Sequence, residues 1–195
     1  LLKDNVISNN DLISVMEYGT DIDKTLVTIT DSQGHTDKGS YYFNIRTNEY
    51  KKLPISLYGL SLSVSVSQDY SFCLFGKMRV NSDEICDDIF IASIKTGEIK
   101  NITKDEKGNY KYPAYMFSFL SPSDKYAYYT VREKDESMLT GLQQRGIIYS
   151  IKTGKSIEIV GEIIRFTEND KYLLYKTEKG CYKLNCESGE KSRIS

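Results

Sequence analysis

The chain repeats one arrangement of short segments four times, and this repetition restricts its fold more than any other property. Each repeat begins at a polar turn that contains an aspartate. It continues through two apolar segments, reaches a second small turn and ends in a last apolar segment. The turn aspartates are Asp23, Asp69, Asp124 and Asp170, so they are 46, 55 and 46 residues apart. Repeats of this length with several strands each are typical of propeller-type arrays.

The second turn of each repeat carries Asn or Gly, the residues that most readily accept a positive φ angle. The four turn pairs are Thr47-Asn48, Thr96-Gly97, Thr153-Gly154 and Ser188-Gly189. Between turns, the segment 59–66 (GLSLSVSV) alternates small or polar residues with apolar ones, which indicates a strand. Its serine face suits close stacking of one repeat on the next, and a solvated face is the alternative. No segment shows a 3.6-residue period, so almost no helix is expected.

The sequence therefore predicts an all-β fold in a single domain, 1–195, with repeats at about 11–57, 58–112, 113–160 and 161–195. Sixteen Tyr, seven Phe and only three Pro agree with strands. The 26 basic and 27 acidic residues give a net charge of −1, which argues against a dedicated nucleic-acid-binding protein. The apolar runs are too short to span a membrane. Because Leu1 is not an initiator Met, we expect an excised domain or a mature chain.

The third repeat reads SPSDKYAYY from Ser121 and GIIYSIKTGK from Gly146. It resembles the TolB-type (WD40-like, PD40) β-propeller repeat, which runs Ser-Pro-Asp-Gly-Lys, an apolar strand, and a second strand ending in a Thr-Gly turn. The other three repeats have T-D, V-S or T-E in place of Ser-Pro. The resemblance implies a propeller-like array of four four-stranded antiparallel blades. It also implies a bacterial, extracytoplasmic protein (secreted, periplasmic or cell-surface), but little about function, because the repeat is structural.

Four blades are fewer than the six to eight that are usual for this family. Either the ring closes with four blades, with LLKDNVI at the N-terminus as a possible closing strand, or the array stays open. An open array would expose its end sheets, so a homodimer is a further possibility.

The lengths of the connections give the main functional prediction. If the strands of a blade are called a, b, c and d, the a–b and c–d turns lie on one side and the b–c and d–a loops on the other. The a–b and c–d turns are short throughout, whereas the b–c and d–a loops vary. These variable loops form what we call the loop face. They include residues 31–39, 76–88, 103–113 and 132–146. Variable loops on a rigid scaffold are where binding residues usually lie.

The loop face combines charged groups with a small apolar patch, as protein interfaces do. We therefore expect a protein or peptide partner, although the charged loops could simply be solvated and the apolar patch could fold back on its own blade. The candidate binding residues are His35, Asp37, Arg79, Asp83, Asp87, Arg132, Met138, Leu139, Leu142 and Arg145.

No catalytic residue is predicted. His35 is the only histidine, so any Ser-His-Asp triad would need it, and no G-x-S-x-G motif is present. The run from Thr153 to Ser156 imitates the end of a P-loop but joins two strands. The sequence thus favours a non-enzymatic binding or scaffold module. The alternative is an enzyme, or the accessory propeller of an enzyme, with a small-molecule or glycan site at the channel mouth.

Neither a metal ion nor a cofactor is expected. The acidic residues at 83–88 lack the spacing of a calcium loop. The cysteines Cys73, Cys86, Cys181 and Cys186 form no C-x-x-C pair that could hold zinc. They are either ordinary thiols or include a Cys73–Cys86 disulfide, which would need an oxidising compartment. The tyrosines fall at strand positions, where packing between blades explains them better than a ligand-stacking platform.

Overall fold

The computed structural model describes residues 10–18, 24–58, 64–78, 87–105, 107–110, 114–134, 142–167 and 169–194. Within these residues the secondary structure consists of sixteen strands, and no helix is found there. In particular, the described residues contain no helix that is long and apolar enough to cross a membrane.

The strands form four sheets, which we call the first to fourth blades. The first blade contains β1 (Leu12–Tyr18), β2 (Lys24–Thr30), β3 (Asp37–Asn44) and β4 (Glu49–Lys52). The second contains β5 (Val64–Val66), β6 (Phe72–Met78), β7 (Asp87–Ser93) and β8 (Ile99–Asn101). The third contains β9 (Ala114–Leu120), β10 (Tyr126–Lys134), β11 (Leu142–Ser150) and β12 (Ser156–Val160). The fourth contains β13 (Glu162–Phe166), β14 (Tyr172–Thr177), β15 (Gly180–Asn185) and β16 (Lys191–Arg193).

Each blade is an antiparallel meander in which neighbouring strands in the sequence are neighbours in the sheet. This confirms the predicted fold class of four four-stranded blades. The c–d turns also follow the prediction, because Asn48, Gly97, Gly154 and Gly189 all have positive φ angles, between 55° and 77°. In the last three of these turns, the amide of the Gly donates to the carbonyl four residues earlier, at 2.8–2.9 Å.

The a–b turns correct the predicted alignment of the repeats by one residue in the second blade. The amides of Tyr70, Asp124 and Asp170 each donate to the carbonyl three residues earlier at 2.9 Å, and all three residues have φ near 55–58°. Tyr70, not Asp69, is therefore the counterpart of Asp124. The carboxylate of Asp69 instead caps its own turn by accepting from the amide of Ser71 at 3.0 Å. Asp23 lies outside the described residues.

The residue at this turn position connects each blade to the preceding one. Asp124 accepts from the amide of Gln68 at 2.6 Å, and Asp170 accepts from the amide of Ser123 at 3.0 Å. In the second blade the ring of Tyr70 contacts the edge of the Tyr42 ring, with 4.9 Å between centroids. One turn position thus makes two polar contacts and one aromatic contact between blades.

Successive blades pack through three apolar clusters, and we call the spaces between the blades the first, second and third clefts. The first cluster contains Leu26, Leu53, Ile55, Leu57, Cys73, Phe75, Ala92 and Ile94. The second contains Leu74, Ile89, Ile102, Ala127, Tyr129, Val131, Ile147 and Tyr149. The third contains Tyr128, Ile148, Ile159, Phe166, Leu173, Tyr175, Leu184 and Cys186. Alternate residues of one strand therefore enter different clefts, and several tyrosines pack between blades as predicted.

The small serine side of the second blade also packs as expected. Ser65 Oγ in β5 accepts from the amide of Leu120 in β9 at 3.2 Å, which brings the innermost strands of two blades together. Residues 59–63 of the alternating segment lie outside the described residues.

The four sheets do not close into a ring, and the outward side of the fourth blade is charged. On the equivalent side of the other blades, an apolar residue of strand b pairs with an apolar residue of strand c, as Tyr128 does with Ile148. In the fourth blade the corresponding pair is Leu174 and Lys183, and Lys176 follows on the same side. Both lysines are exposed. The segment LLKDNVI, suggested as a closing strand, lies outside the described residues.

The cysteines are mostly internal. Cys73 is fully buried in the first cluster, and Cys186 is 3% exposed. Burial, with a smaller effect of the Asp170 charge, raises the pKa of the Cys186 thiol to about 12. Cys86 lies outside the described residues, so the Cys73–Cys86 disulfide stays a prediction.

Candidate functional site

The connections differ between the two sides of the array as the sequence predicts. Between the strands of the structure, the described a–b connections (67–71, 121–125 and 167–171) and the c–d connections span four or five residues. Among the connections that the structure describes throughout, the b–c connection has six residues in the first blade (31–36) and two in the fourth (178–179), and the d–a connection between the third and fourth blades is Gly161 alone. The loop face is therefore the variable side of the molecule.

In the first blade, the b–c loop is organised by one carboxylate. Asp31 Oδ1 accepts from the amides of His35 at 2.8 Å and Gln33 at 3.2 Å. A hydrogen bond from the Thr36 side chain, followed by the bond from the His35 amide, lowers the pKa of Asp31 to about 2. The His35 side chain is exposed. The loop therefore presents His35 from a backbone that Asp31 holds in place.

The b–c loop of the first blade is also joined to the d–a segment of the same blade. Asp37 Oδ2 accepts a hydrogen bond from the Ser56 hydroxyl, and Asp37 Oδ1 accepts from the Gly39 amide at 2.8 Å. The Tyr58 hydroxyl donates to the Gly34 carbonyl at 2.6 Å. Asp37 is thus engaged in holding two loops together. Of the described candidates, His35 and Asp37 lie in the b–c connection and β3 of the first blade, whereas Arg132, Leu142 and Arg145 lie in β10 and β11 of the third.

In the third blade, the predicted loop 132–146 is mostly strand, so its predicted bounds were wrong. β10 and β11 are nine residues each and remain paired from Tyr126 and Ser150 to Lys134 and Leu142. Arg132, Leu142 and Arg145 lie in these strands, and Asp87 likewise begins β7. Charged residues misled the prediction because a charged segment without apolar alternation has the composition of a loop.

Arg145 is partnered rather than free. Its guanidinium Nη1 pairs with Glu158 Oε1 on the neighbouring strand β12. Arg79, Asp83, Met138 and Leu139 lie outside the described residues, as do the side chains of Asp87, Arg132 and Leu142. In the part of the chain that the structure describes, no three His, Cys, Asp or Glu side chains are grouped as metal ligands would be.

The structure also contains a cavity that the sequence did not reveal. It lies in the second cleft and has a volume of about 530 Å³. The second blade contributes the end of β8 and the residues that follow it, and the third blade contributes β11, β12 and the turn between them. Its lining includes Lys100, Lys104, Tyr129, Tyr149, Ser156 and Glu158. Because these residues come from two repeats, no motif in either repeat could indicate the cavity.

Comparison with known proteins shows likeness of structure. No family model matches the chain, and no curated protein sequence matches it. Similar solved structures include a prolyl endopeptidase (TM-score 0.58, 15% identity, 93% of this chain and 29% of that chain). They also include the Pyrococcus horikoshii acylaminoacyl peptidase (TM-score 0.54, 10% identity, 93% and 32%). TolB from Acinetobacter baumannii is a further one (TM-score 0.40, 15% identity, 95% and 55%).

The chain therefore spans about a third of each peptidase and just over half of that TolB. At such identities the likeness concerns the fold alone. The structural neighbours include TolB and other β-propeller proteins, as the repeat motif predicted. The chain is a β-propeller-like array of four blades.

Proposed function

We propose that this chain is a non-enzymatic binding module that captures a protein or peptide partner on its loop face. The observation that carries the proposal is the length of the third-blade hairpin. The strands β10 and β11 have nine residues each, whereas the described b and c strands of the first and fourth blades have six to eight.

The end of this hairpin extends past the strand β12 of its own blade. The last described pair of β10 with β9 joins Arg132 to Ala114. On the other side, the last residue of β11 that pairs with β12 is Arg145, opposite Val160. The described pairs Glu133 with Gln143 and Lys134 with Leu142 therefore extend past the end of β12. A hairpin end that extends past its neighbouring strand on a rigid sheet offers a backbone edge to a partner.

The test is a shortened hairpin in which 133–143 is replaced by Asn-Gly, a sequence that favours a tight hairpin turn. Arg132 would then be followed almost directly by its present partner Gln144. We expect the variant to lose partners that wild-type protein cross-links in extracts of its source cells, while thermal unfolding stays cooperative. Lys95→Glu, in a c–d turn on the other side, is the matched control and should keep the partners. Equal cross-linking by wild type and the shortened variant would contradict the proposal.

The accessory propeller of an enzyme is the second candidate, because two of the similar structures are peptidases by name. In that case the loop face would contact a catalytic domain instead of an independent partner. Cross-links that lead only to a hydrolase domain would support this candidate over the first.

Self-association is less favoured by the structure than a different partner. The outward side of the fourth blade carries the exposed side chains of Arg165, Lys176 and Lys183, and like charges on two copies would repel each other. We expect light scattering to give the 22.3 kDa mass of one chain at all concentrations. A dimer that forms with rising concentration would contradict this expectation.

We also propose an extracytoplasmic location, which rests on the resemblance of the third repeat to TolB-type propellers. Fractionation of source cells with an antibody to the chain tests it, and recovery with cytoplasmic markers would contradict it.

A further inference from the structure

The second cleft differs from the other two in the groups that lie beside its turn glycine. The turn glycines of blades two to four each face the preceding blade. A Cβ atom placed on Gly97 would lie 2.9 Å from Pro54 Cβ, and one on Gly189 would lie 3.8 Å from Ile157 Cδ1. These two clefts are therefore sealed by apolar groups. At Gly154, in the second cleft, the nearest groups are polar.

Two polar groups meet beside Gly154. A Cβ atom there would lie 3.5 Å from Tyr149 Oη and 3.8 Å from Lys100 Nζ. Lys100 pairs with Ile91 as Ile157 pairs with Ile148, so a lysine occupies the position at which the third cleft has an isoleucine. The ammonium group lies 5.6 Å from the centroid of the Tyr149 ring. At this position the second cleft thus has a positively charged side chain where the third cleft has an apolar one.

The hydroxyl of Tyr149 is the second polar group in this cleft. The residue is only 5% exposed, yet its hydroxyl faces the cavity, and no described residue forms a hydrogen bond with it. The Tyr149 hydroxyl is accessible from the cavity, where an oxygen of water or of a ligand can accept its hydrogen bond. By contrast, Tyr129 on the cavity floor donates to the Ile102 carbonyl at 3.4 Å. A ligand atom in the cavity would complete the hydrogen bonding of Tyr149.

The carboxylates that line the cavity are already engaged. Glu158 pairs with the Arg145 guanidinium. Asp105 accepts from the amides of Lys107 at 2.9 Å and Asn109 at 2.8 Å, and so caps its own turn. The ammonium of Lys104 lies over the Tyr110 ring, 4.7 Å from the centroid. The Lys100 ammonium is therefore the charged group that lies beside the Tyr149 hydroxyl, while the carboxylates are held by their own partners.

We propose that the second cleft binds a small molecule that carries a carboxylate or phosphate group, with the Lys100 ammonium and the Tyr149 hydroxyl donating to its oxygens. A volume of about 530 Å³ is within the range of small-molecule sites, roughly 300–1,000 Å³. The buried floor of Ile102, Tyr129 and Ile147 provides apolar surface for the rest of the ligand. This site is separate from the loop face, so it does not depend on the function proposed above.

Binding is tested by amide chemical shifts at constant ionic strength, with phenyl phosphate and benzoate as anionic probes and benzyl alcohol as the neutral probe. We expect saturable shifts around Lys100, Tyr149 and Gly154 with at least one anion and none with the alcohol. The anion that binds more tightly identifies the ligand group as phosphate or carboxylate. Shifts with the alcohol equal to those with both anions, or no saturable shifts, would overturn the proposal.

The variants separate the two donors from general surface charge. Lys100→Gln and Tyr149→Phe should each weaken binding about tenfold, as expected when a hydrogen bond to a charged group is lost. Lys51→Gln is the matched control, because Lys51 pairs with Tyr42 as Lys100 pairs with Ile91. It should bind as wild type does. Lys100 is exposed, so its variant is expected to fold, and a wild-type amide spectrum outside the cleft verifies this. Equal weakening by Lys51→Gln would contradict a specific site.

Discussion

The first and second clefts are built from equivalent strands, yet the first is filled and the second is open. After β4 the chain runs back over the first cleft, and Leu53, Ile55 and Leu57 are buried there against the second blade. After β8 the chain makes its own turn at 105–109; Ile102 enters the second cluster, and Tyr110 packs against it only partly buried. The d–a segment therefore decides whether the space between two blades becomes core or cavity. The same repeat can serve stability at one cleft and binding at the next.

The largest expected effect comes from removing the filling of the first cleft. Leu57 is fully buried, so Leu57→Ala should lower the free energy of unfolding by about 2–5 kcal/mol, because it leaves a cavity in packed apolar surroundings. Lys100→Ala, on the wall of the second cleft, should change it by less than about 0.5 kcal/mol. Urea unfolding followed by circular dichroism measures both. Similar losses for the two variants would mean that the clefts do not differ as described.

A matched pair of glycines sharpens the comparison. Gly97 and Gly154 have φ angles of 77° and 69°, so alanine at either position costs about 1–2 kcal/mol from the left-handed backbone. At position 97 the new methyl group would also press on the Pro54 ring, which adds about 1–3 kcal/mol. Gly97→Ala should therefore destabilise the protein more than Gly154→Ala in the same urea experiment. The reverse order would contradict the sealing of the first cleft by Pro54.

A substitution in the a–b turn of the second blade is expected to have a smaller effect on stability. Tyr70→Asp restores the aspartate found at this turn position in blades three and four but removes the edge contact with Tyr42. Because such aromatic pairs contribute about 0.5–1.5 kcal/mol, we expect a modest fall in the melting temperature. Lys95→Ala, at an exposed position in the c–d turn of the same blade, is the control. A melting temperature equal to or above that of wild type would show that the aromatic contact is not what joins the first two blades there.

The smallest effect is a pH dependence at the second cleft. Burial raises the pKa of Asp124, and the charges of Asp69 and Asp170 raise it further. A carboxyl with a raised pKa favours the folded state most when it is protonated, so this contribution is lost as the pH rises above the unfolded value of 3.8. Asp124→Asn still offers an oxygen to the Gln68 amide and should be slightly more stable than wild type at pH 7, but not at pH 3. Urea midpoints at the two pH values test this, and a less stable variant at pH 7 would contradict it.

Much of the fold could be predicted because it depends on local rules. The four turn residues with positive φ are Asn or Gly, and the strands between them contain the expected apolar segments. The one-residue error at Tyr70 shows where such rules fail. A nearby Asp suggested one alignment, whereas the backbone hydrogen bond from Tyr70 to Ser67 determines another. The length of the third-blade hairpin was missed for a related reason, since its end has the charged composition of a loop.

The sequence by itself determined the number of blades, their strand order and the side of the array on which the connections vary. These properties follow from turn chemistry and strand alternation, which act between residues close together in the chain. Only the tertiary structure decided that Leu57 fills one cleft while Lys100 and Tyr149 face an open one. Lys100 and Tyr149 are 49 positions apart and belong to different repeats. Their proximity results from the packing of one blade on another, which no single repeat encodes.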